Sequence, residues 1–334
     1  MGYLQLAVVK VPQRVWRDLE TLFIYTSLMF NPKDYYLEKM MVNSYLELPL
    51  LGVTAFSASV STYSGAFFTM KFGGQSVTVD VNGGTRTLTS ETPQYVVRLS
   101  VSGNRSSEDI KAFSSSTGGY FITTDVLYRL FNLEGLTLST NKGNSRLNGD
   151  WSLAMPKLKT LDITFQYSSL FPDDTVSITF NKPGLYPVME TLWFKCGTNH
   201  LPVTGEIKYL PQTLKTISGG GYTNSSGFTG KLSDFPQGIE IIDLLWQNGN
   251  SVVGYDSRSW TGQIKYLGFR NIGLTSSELD TFLNDISNAN FQPNATINFS
   301  RGTKTMGVRT SASDAAVAAI KAKGVTITIS NNTF

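Results

Sequence analysis

Gly205-Glu206-Ile207-Lys208-Tyr209-Leu210-Pro211-Gln212-Thr213-Leu214-Lys215-Thr216-Ile217 is answered 25 residues later by Gly230-Lys231-Leu232-Ser233-Asp234-Phe235-Pro236-Gln237-Gly238-Ile239-Glu240-Ile241-Ile242. Outward from this pair, the pattern L-x-x-L-x-L recurs. It runs as Leu133/Leu136/Leu138, Leu158/Leu161/Ile163, Met189/Leu192/Phe194, Leu214/Ile217/Gly219, Ile239/Ile242/Leu244 and Ile264/Leu267/Phe269. The first positions advance by 25, 31, 25, 25 and 25 residues. In three repeats a glycine stands nine residues ahead of the first position (Gly149, Gly205, Gly230), with Pro156, Pro211 and Pro236 in between. Pro187 sits similarly before Met189. Such a period predicts one short strand and one return arc per repeat, whose apolar face only the next repeat can bury. Glycine permits the tight bend, and proline fixes φ in an arc with few ladder donors.

After Phe269 the arc changes. Thr275-Ser276-Ser277-Glu278 is a capping-box sequence, and Leu279, Phe282, Leu283 and Ile286 follow with helical spacing. Ala295–Phe299 alternates as a strand. Ser311 or Ser313 caps a second expected helix, Asp314–Lys323, with Ala315, Ala316, Ala319 and Ile320 on its inner side. Gly324 ends it, and Val325–Ser330 makes the last strand. Leu267, Ile297 and Ile327 stand 30 residues apart, so two longer, helix-bearing repeats close the array as a cap.

On these residues the chain resembles the leucine-rich-repeat family, in its plant-type and bacterial-surface variants. The missing Asn after several strands is a departure from that pattern. The resemblance implies a solenoid over residues 116–334. Upstream, Ala66–Phe72, Ser76–Val81, Thr85–Thr89 and Tyr95–Val101 read as strands, with Gly73-Gly74 and Asn82-Gly83-Gly84 as turn signals. This order is similar to polycystic-kidney-type domains that precede leucine-rich repeats in Bacteroidetes-type surface proteins. Those domains carry Trp-Gly-Asp-Gly where this chain has Val81-Asn82-Gly83-Gly84. An Ig-like β-sandwich over 53–115 is the expectation. Residues 1–52 are rich in large aromatics, among them Trp16, Phe23, Tyr35 and Tyr36. A segment that short does not easily bury them alone. Either it packs on the sandwich, or it is an anchor that attaches to another chain. The expected fold is thus mainly β with some α: an N-terminal anchor segment, a small sandwich, then a solenoid ending in two helix-bearing repeats.

Composition narrows the function. Of 334 residues, 41% are apolar and only 16% charged, with a net charge of +3. That charge, without a basic cluster, argues against nucleic acid. Cys196 is the only cysteine, which excludes a disulfide scaffold and a multi-cysteine zinc site. No leader pattern opens the chain, and the apolar run Leu19–Phe30 is too short to span a bilayer. The chain reads as leader-less and soluble, without membrane insertion.

The search for chemistry yields little. His200, the only histidine, sits in a loop without a partner at triad or ligand spacing. Cys196 reads as structural filler, and Asp173-Asp174 as a solvated turn. Gly219-Gly220-Gly221 lacks the context of a phosphate loop. The expectation is no enzyme, no cofactor and no metal.

Residues between the buried strand positions point the other way. On that face, expected to be concave, the candidate binding residues are Asp162, Trp193, Lys195, Asp243, Leu245, Tyr266 and Arg270. Large aromatics beside hydroxyls and charges suit a binding hot spot or sugar stacking; the alternative is that another domain or a sister subunit covers them. Asp162 and Asp243 lie three repeats apart, on the order of 15 Å, too far for joint acid–base work.

The C-terminal pattern Thr310-Ser311-Ala312-Ser313, an Ala-rich helix, then Lys323-Gly324-Val325-Thr326 also resembles the ends of leucine-rich-repeat proteins in Bacteroidetes phages and their hosts. It implies a non-enzymatic virion structural protein of the tail-fibre or head-fibre type, assembled in the host cytoplasm. Partners would be other virion proteins, reached through the N-terminal segment, and a host-surface glycan or protein. A homo-oligomer is expected, with a trimer as one option. The alternative is a bacterial cell-surface adhesin or glycan-binding protein.

Overall fold

The computed structural model describes residues 46–334 except 63–67, 80–84, 102–109, 116–120, 124–131, 141–145, 151–154, 166–175, 197–202, 221–226, 246–249 and 301–303. The chain divides into two units, Met1–Asn43 and Ser44–Phe334, and every element below belongs to the second. The expected attachment residues Trp16, Phe23, Tyr35 and Tyr36 lie outside the described residues.

Four strands come first: β1 (Leu46–Thr62), β2 (Phe68–Phe72), β3 (Gln75–Val79) and β4 (Arg86–Val101). They pair antiparallel in the order β1-β4-β2-β3. Gly73 and Gly74, both at positive φ, make the β2–β3 turn. Here the structure departs from expectation. Thr85–Thr89 and Tyr95–Val101 are halves of one strand, because β1 is long enough to pair with both across two register shifts. The described strands between residues 53 and 115 are linked by hydrogen bonds into one sheet, and β1 shifts register twice against β4. The boundary expected at 52/53 falls inside β1.

From β5 (Ile110–Ser115) onward the pairing turns parallel, and successive strands go to two sheets in turn. One sheet takes β7 (Gly135–Thr140), β9 (Thr160–Phe165), β11 (Thr191–Cys196), β13 (Thr216–Gly220), β15 (Ile241–Leu244), β17 (Gln263–Arg270), β19 (Asn290–Ser300) and β20 (Thr326–Ile329). Since β5 also pairs with β1, this sheet joins the antiparallel block into 13 strands, ordered β20-β19-β17-β15-β13-β11-β9-β7-β5-β1-β4-β2-β3. The other sheet has seven parallel strands: β6 (Phe121–Thr123), β8 (Arg146–Asp150), β10 (Val176–Phe180), β12 (Val203–Glu206), β14 (Gly227–Gly230), β16 (Ser251–Val253) and β18 (Ile272–Gly273). Two helices, α1 (Ser276–Ile286) and α2 (Asp314–Ala322), lie near the C-terminus. The chain is therefore mainly β, built on a long parallel sheet. No helix among the described residues is long and apolar enough to cross a membrane.

The repeated apolar positions stack in register. Leu136, Leu161, Leu192, Ile217, Ile242, Leu267, Ile297 and Ile327 are successive strand partners. The six from Leu136 to Leu267 are fully buried, as are the leading residues Leu133, Leu158, Met189, Leu214, Ile239 and Ile264. Each such side chain contributes about 1.5–3 kcal/mol by leaving water. The column also begins one strand earlier than the spacing suggests. Ile110 and Phe113 occupy the same places, with Ser115 third, and Phe113 partners Leu136. The Ser115 hydroxyl is satisfied by donating to the Ser57 carbonyl at 2.8 Å.

The return arcs do more than bend. Ile178, Phe180, Val203, Phe228 and Val252 of the second sheet are fully buried in the same core. Phe180 and Phe228 rings lie 6.3 Å apart, and Phe235 meets Phe269 of β17 edge-on at 5.3 Å. Gly205 pairs between Phe180 and Phe228 at φ 141°, and an added β-carbon would come within 2.3 Å of the Phe180 carbonyl oxygen. At Gly205 the glycine thus answers a backbone conformation and a close approach together, while Gly230, at φ 123°, shares the conformation.

At the C-terminus α1 carries both arms of its capping box, Thr275 to Glu278 and back. Leu279, Phe282, Leu283 and Ile286 are buried as the helical spacing predicts. In α2 the inner face is Ala316, Val317 and Ile320, while Ala315 and Ala319 are exposed. Bulk decides this: the face that buries Val317 removes more apolar surface than one built on alanines. Thr310, rather than a serine, caps the preceding turn, accepting from the Ala312 N–H at 3.2 Å.

One rim of the 13-stranded sheet carries alternating charge. Lys111, Glu134, Lys159, Glu190, Lys215, Glu240 and Lys265 each stand just ahead of the central strand positions, and each N–H from Glu134 onward donates to the preceding member's carbonyl at 2.8–2.9 Å. Lys159 pairs with Glu134 at 3.0 Å and Lys215 with Glu190 at 3.7 Å.

Candidate functional site

Strand alternation buries one set of side chains and leaves the other on the open face of the 13-stranded sheet. Register sorts the open face into rows. The first row is Gly135, Thr160, Thr191, Thr216, Ile241, Tyr266, Thr296 and Thr326. The second is Thr137, Asp162, Trp193, Ser218, Asp243, Gly268, Asn298 and Thr328. Neighbours within a row are roughly 4.8 Å apart.

The second row holds most of the expected chemistry. Trp193 is 45% exposed, and of the four large apolar side chains standing exposed among the described residues it is the one aromatic. Asp162 and Ser218 are its register partners on either side. Asp162 is half-buried and accepts a hydrogen bond from the Thr164 hydroxyl at 3.0 Å. Burial pushes its pKa up, and the Thr164 bond offsets part of that rise. Ser218 is buried, and Asp243, half-buried, follows it in the row.

Tyr266 belongs to the first row by register but crosses into the second. Gly268 has no side chain, and a β-carbon built there would meet Tyr266 Cε1 at 2.4 Å and its hydroxyl oxygen at 2.9 Å. The ring therefore lies in the place that Gly268 leaves open. Burial raises the Tyr266 pKa first, and the nearby Asp243 charge raises it further; a hydrogen bond with Asn298 works the other way. So Asp243, Tyr266 and Asn298 form one polar group, and along the stack the row reads carboxylate, indole, hydroxyl, carboxylate, phenol, amide.

The remaining expected residues stand differently. Arg270 is half-buried at the end of β17, partnered by Ser300. Leu245 follows β15 and is half-buried, not free on the face. Lys195 is the register partner of Thr164 in β11, and its side chain lies outside the described residues. Alternation alone does not single out Gly268 and Asn298; the usable signal was a glycine where the row elsewhere carries a side chain.

The two row carboxylates, Asp162 and Asp243, are three strand steps apart, about 14 Å. That exceeds the separation of roughly 5–9.5 Å at which paired carboxyl groups cleave glycosides. Among the described residues no three His, Cys, Asp or Glu side chains group closely enough to hold a metal ion. Against protein-family models, curated proteins and solved structures alike, the chain finds no match.

Proposed function

We propose that this chain is a non-enzymatic binding protein, that its stacked parallel strands are a leucine-rich-repeat-type solenoid with a C-terminal cap, and that the open face is where it binds. The observation that carries the reading is the exposed Trp193, held in a rigid strand between Asp162 and Ser218. An indole in water is costly to keep, and on a surface it typically anchors a partner. Regular strands hold it in one place, so little ordering cost attends binding. Within this reading the leucine-rich-repeat likeness of the sequence suggests a bacteriophage virion, as a tail- or head-fibre component that attaches through its N-terminal segment to other virion proteins and presents the face to the host surface.

The binding test uses the full chain with Trp193→Ala and Tyr266→Ala. Both are expected to lose host-cell binding while keeping the wild-type melting transition. Undiminished binding would exclude the open face. The setting is tested separately, by mass spectrometry of purified virions against host cell envelopes. Recovery in envelopes alone would favour a bacterial surface adhesin.

A further inference from the structure

We propose that the ligand of this face is an uncharged linear glycan lying along the second row, one sugar ring to each strand, from Trp193 to the Tyr266 ring beside Gly268. The proposal rests on the open-face reading and names its ligand class.

The geometry carries it in three steps. First, the row has two aromatic rings, and they are three strand steps apart: Trp193, Ser218, Asp243, then the Tyr266 ring filling the Gly268 place. At roughly 4.8 Å per step the strand spacing is close to the length of one pyranose unit, so an extended chain stays in phase with the coils. Second, what stands between the rings is short and polar: Ser218, itself buried, and the half-buried Asp243 carboxylate, with Asn298 beyond the phenol and the threonines of the first row alongside. Such groups match the paired hydroxyls of a sugar, while a ring face takes its C–H side. Third, among the described residues the face shows little of what a protein partner needs. A protein interface has a contiguous apolar centre, whereas among the described residues one exposed indole stands beside mostly polar side chains, with a half-buried Ile241 in the first row. Carboxylates in the row, Asp162 and Asp243, disfavour acidic sugars.

The test titrates the full chain with neutral β-linked glucose, mannose and N-acetylglucosamine oligosaccharides, from disaccharide to hexasaccharide, following tryptophan fluorescence and heat. The fitting series is expected to gain affinity with each ring up to about four rings, the span of four strands, and to level off there. Trp193→Ala and Gly268→Val, the second displacing the Tyr266 ring, are each expected to weaken the tetrasaccharide about tenfold or more, the first with unchanged melting and the second with a small loss of stability, so that Trp193→Ala is the variant that separates binding from folding. No binding of any series at millimolar sugar overturns the proposal. So does binding that ignores chain length or both substitutions. If host cells are still bound through Trp193 after periodate destroys their sugars, the glycan is wrong and the open face stands. If host binding survives Trp193→Ala as well, both fall.

Discussion

The ring of Tyr266 occupies the side-chain place of Gly268, with Cε1 only 2.4 Å from where a β-carbon would stand. The clashing atoms are the free end of a side chain, so Gly268→Ala is expected to turn the ring outward at a stability cost within about 1 kcal/mol. The acidity of the phenol reports the move. Burial and the Asp243 charge both disfavour the phenolate and raise the Tyr266 pKa. Swung into water, the group is expected to titrate nearer its ordinary value of 10.0. Carbon-labelled tyrosine NMR, assigned with Tyr266→Phe, measures this. A titration unmoved by Gly268→Ala would mean that the ring does not lie there.

Two glycines at positive φ separate backbone strain from crowding. Gly184, at φ 83°, has nothing within 4 Å of an added β-carbon, whereas Gly205, at φ 141°, would press one onto the Phe180 carbonyl. Gly184→Ala is expected to cost about 1–2 kcal/mol, the price of a left-handed residue. Gly205→Ala carries strain of order 1–3 kcal/mol and must also part β10 from β12. Urea melts of the two variants check the order; equal losses would show that the close approach relaxes freely.

These residues also mark how far the chain could be read without coordinates. The column from Leu136 to Ile327 was legible because its side chains repeat at fixed offsets and are large. Trp193, Asp162, Asp243 and Tyr266 then followed from strand alternation. The second sheet was not legible: strands such as Val203–Glu206 and Ser251–Val253 have four and three residues, and they exist only because neighbouring strands pair with them. Ile110–Ser115 escaped because its third place is a serine and it stands 23 residues, not 25, ahead of Leu133. How the upstream strands are joined was not legible either. Alternation identifies strands but not the sheet they join, and β1 joins β5 edge to edge. The Tyr266 ring's crossing into the second row depends on a missing side chain two residues away, which no periodicity encodes.

Asp280 ties α1 to the turn before α2. Asp280 is buried, and its carboxylate accepts from the Thr310 N–H at 2.9 Å, the Thr310 hydroxyl at 2.6 Å and the Ser313 hydroxyl at 2.6 Å. Burial pushes its pKa up, but the bonds from Ser313 and Thr310, with the Arg309 charge, outweigh this and leave it below the ordinary 3.8. A carboxyl with a depressed folded pKa stabilises the fold above its unfolded pKa, and that stabilisation is lost as pH falls through the folded value. Asp280→Asn is expected to cost roughly 1–3 kcal/mol near neutrality, because the amide turns a donor toward donors. The gap from wild type is expected to shrink in urea melts taken at pH below about 3.8. A gap that persists in acid would assign the loss to packing instead of charge.

The alternating rim makes a claim about stacking order. Shifting any strand by one place along the row from Lys111 to Lys265 would set like charge on like, so alternation opposes misordered strand pairing as well as supporting the native one. Lys215 is 55% and Glu190 49% exposed, and exposed pairs are worth about 0–1 kcal/mol. Lys215→Glu, with Glu190 on one side and Glu240 on the other, is accordingly expected to lose no more than about 1 kcal/mol, and less in high salt, where screening shortens to roughly 3 Å at 1 M. The double exchange Glu190→Lys with Lys215→Glu separates two models. If the residues act as an isolated pair, the exchange restores the pair and the stability. If they act as a row, it sets like charges against Lys159 and Glu240 at both flanks, so the double variant is expected to be no more stable than the single one at low salt. Recovery to the wild-type melting temperature at low salt would remove the row and leave only a surface ion pair.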